Sequence, residues 1–79
     1  MIRAKTTDDL VKIAHAGGSM RTNLAGRSTE DISKLAAAAR QGGAKLYFLG
    51  LGGRPTEDLV HIALAGGPGV VLFDDEAHP

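Results

Sequence analysis

The stretch Arg54-Pro-Thr-Glu-Asp-Leu-Val-His-Ile-Ala-Leu-Ala-Gly-Gly67 decides the fold, because related versions of it occur three times along the chain. The first version is Lys5-Thr-Thr-Asp-Asp-Leu-Val-Lys-Ile-Ala-His-Ala-Gly-Gly18. The second starts with Arg27-Ser-Thr-Glu-Asp-Ile-Ser-Lys-Leu-Ala and reaches its glycine pair at Gly42 and Gly43. Repeats of this length are typical of units that bury their apolar sides by stacking on their neighbours.

Each version predicts one helix. Thr7, Thr29 and Thr56 are the predicted N-caps, since a threonine hydroxyl can accept a hydrogen bond from a free amide in the first turn. Acidic residues follow each threonine, where the positive end of the helix dipole favours them. Apolar residues then recur at helical spacing. The glycine pairs predict the helix ends, because glycine readily adopts the left-handed cap conformation.

Short apolar segments between the helices predict β-strands. Residues 46–49 and 70–73 are nearly all apolar, and residues 20–24 occupy the matching position after the first glycine pair. Residues 1–4 precede the first helix as the remnant of a fourth strand. Because strands that alternate with helices pair in parallel, the predicted fold is α/β with the order β-α-β-α-β-α-β and a mainly parallel four-stranded sheet.

The length and composition limit the function classes. With 79 residues, the chain forms one domain, predicted over residues 1–75 and followed by a flexible tail at 76–79. Its nine basic and nine acidic residues cancel, which argues against nucleic acid and membrane surfaces as partners. The absence of cysteine excludes disulfides and thiolate metal sites and fits a cytoplasmic location. No cofactor is expected.

Alternation along the strands divides the predicted sheet into two faces. We align the strands on the second glycine of each preceding pair. One face then carries the mostly apolar set Thr22, Leu24, Tyr47, Leu49, Val71 and Phe73, which we assign to the helices. The opposite face carries Arg21, Asn23, Leu46, Phe48, Val70 and Leu72, with Arg3 nearby. If the three similar helices lie predominantly on one face, the second set is exposed; a small doubly wound sheet is the alternative.

An exposed apolar sheet face predicts a protein-binding module. The simplest partner is a second copy related by a two-fold axis, which makes a homodimer. The predicted anchors are Leu46, Phe48, Val70 and Leu72, with Arg3 and Arg21 at a polar rim. A heterologous protein is the other possible partner, in which case the chain would neutralise a toxin or an enzyme.

The turn Gly50-Leu-Gly-Gly-Arg54 supports a different function. It leaves a predicted strand and enters a helix N-terminus, a position that favours anions. A phosphate or small-molecule site would use Gly52, Gly53, Arg54 and Thr56. The turn matches neither the dinucleotide fingerprint nor the P-loop, however, and the acidic pair in the following turn repels phosphate.

The remaining polar residues do not predict an enzyme. Lys5, Arg27 and Arg54 precede the three helices at equivalent positions and predict a surface row of weak ion pairs with the acidic residues. The three histidines do not converge in sequence, and no nucleophile–base pattern is present. A catalytic site built across a dimer interface is the enzyme alternative. No metal site is expected.

Overall fold

The computed structural model describes residues 6–74, in which three helices alternate with three strands. The elements are α1 (Thr7–His15), β1 (Met20–Asn23), α2 (Thr29–Gly42), β2 (Leu46–Leu49), α3 (Thr56–Gly66) and β3 (Val71–Asp74). The predicted strand at residues 1–4, the residue Arg3 and the predicted tail at 76–79 lie outside the described residues.

The three strands form one parallel sheet in the order β1-β2-β3. The α/β class and the parallel pairing are therefore confirmed. Right-handed crossovers between successive neighbouring strands place α2 and α3 on the same face, and α1 packs beside α2. The doubly wound alternative finds no support in the part of the chain that the structure describes.

Each helix begins with the threonine that the sequence analysis assigned as its cap, so that assignment is wrong by one residue. The hydroxyl of Thr6 accepts from the amide of Asp9 at 3.2 Å, and the hydroxyl of Ser28 accepts from the amide of Asp31 at 3.1 Å. The N-cap of α3 is Pro55, whose side chain makes no capping bond. Because the preceding residue holds the cap position, the hydroxyls of Thr7 and Thr29 are left to bond across to neighbouring helices.

The helices end at or beside the glycine pairs, but the left-handed glycine cap that the sequence predicted occurs only in α2, at Gly43, whereas the cap of α1 is Ala16 and that of α3 is Gly67 in another conformation. In the first pair the left-handed residue is Gly17, at φ 95°, whereas in the second pair it is Gly43, at φ 76°. Gly42 stays helical as the last residue of α2. Each strand begins three residues after its left-handed glycine, at Met20 and Leu46 respectively. The two glycine pairs are therefore not structurally equivalent.

This difference reverses the predicted faces of β2. Leu46 and Phe48 are fully buried, so their assignment to the open face is wrong. Aligning on the second glycine of each pair shifts β2 by one residue, and a one-residue shift exchanges the two faces of a strand. The observed register joins Thr22, Phe48 and Phe73 on the helix side.

The core lies between the helices and this face of the sheet. Its buried members are mainly leucine, isoleucine and alanine, with Phe48 as the largest side chain. The ring of Phe73 meets that of Phe48 edge to face, with centroids 6.4 Å apart. The helices thus cover one side of the sheet, and no described residue covers the other.

Candidate interaction surfaces

The open face of the sheet carries two rows of side chains. One row is Arg21, Tyr47 and Leu72, and the next is Asn23, Leu49 and Asp74. Tyr47 is 42% exposed and Leu72 is 50% exposed, so two large apolar side chains face solvent from adjacent strands. We call these six residues the open sheet face.

An ion pair crosses the open sheet face. The guanidinium of Arg21 lies 3.6 Å from the carboxylate of Asp74. Arg21 is on β1 and Asp74 on β3, so the arginine side chain extends over the middle strand, a span of about 10 Å. The Arg21 side chain remains 61% exposed, and a pair as exposed as this contributes little to stability. The contact brings the basic group of β1 and the acidic group of β3 together on the β3 side of the face.

The structure separates the predicted interface residues. It places Arg21 and Leu72 on the open sheet face, and it buries Leu46 and Phe48 beneath the helices. Val70 precedes β3 and packs, partly buried, against the core. The sequence analysis missed Tyr47 for this face. Alignment on the left-handed glycines would have found it, but a sequence does not mark which glycine of a pair takes that conformation.

The turn between β2 and α3 presents Gly52 and Gly53 to solvent, but the Arg54 side chain bonds to a neighbouring loop. Its guanidinium donates to the Thr29 hydroxyl at 2.9 Å and to the backbone carbonyls of Leu24, Ala25 and Arg27. Arg54 therefore holds the loop between β1 and α2. These bonds engage both terminal nitrogens of the guanidinium, which the predicted anion site would have used.

A threonine ladder connects the three helix N-termini. The Thr7 hydroxyl accepts from Arg27 at 2.7 Å and donates to Asp31 at 3.5 Å. In the next copy, the Thr29 hydroxyl accepts from Arg54 at 2.9 Å and donates to Asp58 at 3.3 Å. The predicted row of basic and acidic residues is thus organised differently from simple ion pairs. Each threonine bridges the arginine and the aspartate of the following copy.

The outer flank of α3 is a second exposed surface. It includes Val60, which is 50% exposed, and Leu64, which is 72% exposed. A shallow concavity beside them has an apolar lining that includes Ala63, Leu64, Pro68 and Val71. No described element packs on this flank, whereas the same side of α2 is covered by α3 and the same side of α1 by α2.

A small cavity at the carboxyl ends of β2 and β3 is lined by Phe48, Leu51, Gly52, Leu59, Phe73 and Asp74. Within residues 6–74, no three His, Cys, Asp or Glu side chains group to hold a metal ion. None of the described helices is long and apolar enough to cross a membrane.

Comparison with protein-family models, with curated proteins and with solved structures found no match to this chain.

Proposed function

We propose that this protein is an interaction module that associates with a second copy of itself through the open sheet face. The observation that supports it is the exposure of Tyr47 and Leu72 on a parallel sheet. Parallel sheets are almost always covered on both faces, and no described residue covers this one. Tyrosine and arginine, both present here, are the residue types that most often dominate binding energy at protein interfaces.

The distribution of charge favours a partner of the same kind. Arg21 lies on β1 and Asp74 on β3, at opposite edges of the face. A two-fold axis running parallel to the strands over β2 would place β1 of each copy over β3 of the other. Each Arg21 would then exchange Asp74 of its own chain for Asp74 of the second copy, and the two Tyr47 rings would meet at the centre. The face is complementary to itself in this arrangement.

The size of the face sets the expected strength of the dimer. Three strands of four residues span about 14 by 13 Å. A standard interface buries about 800 Å² on each partner, several times the area of this face. The contact therefore belongs to the weak and transient class, and the dimer should form only as the protein concentration rises.

Tyr47→Glu tests the proposal, because it places a charge at the centre of the face, and Tyr47 is exposed enough for the fold to tolerate it. We expect light scattering over a concentration series to show a rising mass for the parent chain. The variant should show a contact at least about tenfold weaker. Arg21→Glu, at the edge of the same face, should also weaken the contact.

Lys34→Ala is the matched control for Tyr47→Glu, since it changes the net charge by the same amount as that variant, at an exposed position of α2. It should leave the mass profile unchanged. A parent chain that stays monomeric at all concentrations would refute the proposal. So would a self-association that is as strong in the Tyr47→Glu and Arg21→Glu variants as in the parent chain.

A further inference from the structure

The threonine ladder lacks a bonded partner at its third threonine. Thr7 and Thr29 each bridge an arginine and an aspartate of the following copy. Thr56 is the third member of the series, and its side chain is exposed. It makes no hydrogen bond to any residue in the range 6–74. The position that an arginine and an aspartate of a further copy would occupy is therefore open.

Beyond Thr56, the same flank of α3 carries exposed apolar residues. In the repeat, Leu64 corresponds to His15, whose ring nitrogen Nε2 lies 3.0 Å from the Gln41 side chain of the following helix. Val60 corresponds to Val11, which packs against the core. The flank that faces the next helix in α1 thus faces solvent in α3. This explains why Leu64 is the most exposed large apolar side chain among the described residues.

The far flank of α1, on the side away from α2, has an aspartate but no preceding copy to supply its threonine. Asp31 and Asp58 each accept from a threonine of the preceding copy, and Asp9 is their equivalent in the first copy. The side chain of Asp9 is exposed and makes no hydrogen bond within the described part of the chain. Ala16 is exposed too, whereas its equivalent in α2, Ala38, is buried.

A related difference appears at the next position of this flank. Ile13 is only partly buried. Its equivalents Leu35 and Ile62 are almost completely buried, and each lies on a helix that packs against a preceding one. The two ends of the molecule therefore expose matching halves of one interface, which occurs in complete form between α1 and α2 and again between α2 and α3.

We propose that the outer flank of α3 binds the far flank of α1 of a second copy, head to tail. Thr56 then donates to Asp9 of the second copy, as Thr7 donates to Asp31 within one chain. Val60 and Leu64 pack against Ile13 and Ala16 of the second copy. The contact continues the spacing of the internal repeats and requires no rearrangement of the described helices.

The occupant is a second copy because Thr56 and Asp9 repeat the threonine and the aspartate that bond between the internal copies. The helices carry the contact rather than the sheet edge, since β3 ends in the charged residue Asp74, and charge disfavours edge pairing. The two surfaces differ, so the contact is heterologous and leaves a free end on each copy. None of its residues belongs to the open sheet face, so this inference does not depend on the proposed function.

The test uses two variants that each block one end: Leu64→Arg on α3 and Ala16→Arg at the C-cap of α1. Both are made in the Tyr47→Glu background, which removes the contact through the open sheet face. Sedimentation velocity should show that the background chain associates with rising concentration. Each arginine variant alone should lose this association by about tenfold or more. An equal mixture should regain a one-to-one complex, because each variant keeps the end that the other lacks.

His61→Arg is the matched control on the exposed side of α3 and should associate like the background chain. Leu64→Ser replaces Leu64→Arg if circular dichroism shows that the arginine variant is unfolded. A background chain that never associates would overturn the proposal, as would a mixture that forms no complex. Association that Ala16→Arg leaves unchanged would also overturn it, because that result would mean that α3 pairs with α3.

Discussion

At the scale of single residues, the glycines determine how closely the helices approach. Gly42 is helical, and a Cβ atom added there would overlap the backbone carbonyl oxygens of Ala14 and His15 at the end of α1. The missing side chain therefore lets α2 cross the end of α1 at backbone distance. Gly43, the next residue, supplies the left-handed cap. The two glycines of this pair have different functions, one in packing and one in chain reversal.

Gly42→Ala should destabilise the protein, although the same change within an exposed helix stabilises it by about 1 kcal/mol. The new methyl group meets backbone oxygens that can move only if α1 shifts, and overpacking of this kind costs about 1–3 kcal/mol. Thermal unfolding should therefore show a melting temperature lowered by several degrees.

Gly53→Ala is the control for this change, because Gly53 has open space around its position and no positive φ. Its melting temperature should stay the same or rise slightly. An equal response of the two variants would show that contact with α1 does not explain Gly42.

At the scale of elements, the repeat predicted the alternation of helices and strands, the parallel pairing and the helix ends. It did not predict the face of β2, because the first two glycine pairs place their left-handed residue differently. Nor did it predict the caps, since Thr6 and Ser28 precede threonines that are equally good capping residues. In both cases a shift of one residue decided the outcome, and neighbouring residues of similar propensity do not reveal such a shift.

The loop between β1 and α2 depends on an arginine from the turn between β2 and α3. Arg54→Ala removes its bonds to Thr29 and to three backbone carbonyls. We expect a loss of about 2 kcal/mol in the free energy of unfolding, since hydrogen bonds from charged groups contribute about 1.5–3 kcal/mol and this one is partly exposed. Urea denaturation measures the change.

Lys34→Ala removes a positive charge from an exposed position of α2 and should alter the stability by less than about 0.5 kcal/mol. If Arg54→Ala were equally mild, the contacts of Arg54 would not hold the loop. In that case the arginine would be free for other uses, including the anion site suggested by the sequence.

At the scale of the whole molecule, the two proposed surfaces differ in symmetry. The open sheet face pairs with itself and closes after two copies, whereas the flanks of α3 and α1 leave free ends. The sequence analysis predicted that the chain binds a partner, which stays a prediction, and it assigned Arg21 and Leu72 to the side of the sheet on which they lie. It did not identify the α3 flank, because the apolar periodicity of α3 resembles that of helices covered on both sides.

The combination of the two surfaces predicts a specific pattern of masses. The unaltered chain should form species larger than a dimer as its concentration rises, because closed pairs can join end to end. Leu64→Arg should limit the mass to that of a dimer. Tyr47→Glu should still allow growth, but only through the head-to-tail contact. Light scattering coupled to size-exclusion chromatography would distinguish the three profiles, and identical profiles would contradict the two-surface arrangement.

The position of Tyr47 also gives the protein an intrinsic optical signal. The chain contains one tyrosine and no tryptophan, so nearly all of its ultraviolet emission comes from a ring on the open sheet face. Burial of that ring changes its emission and its access to a dissolved quencher such as iodide. Contact through the open sheet face would therefore be visible in unlabelled protein, while growth through the flanks of α3 and α1 would leave the same signal unchanged.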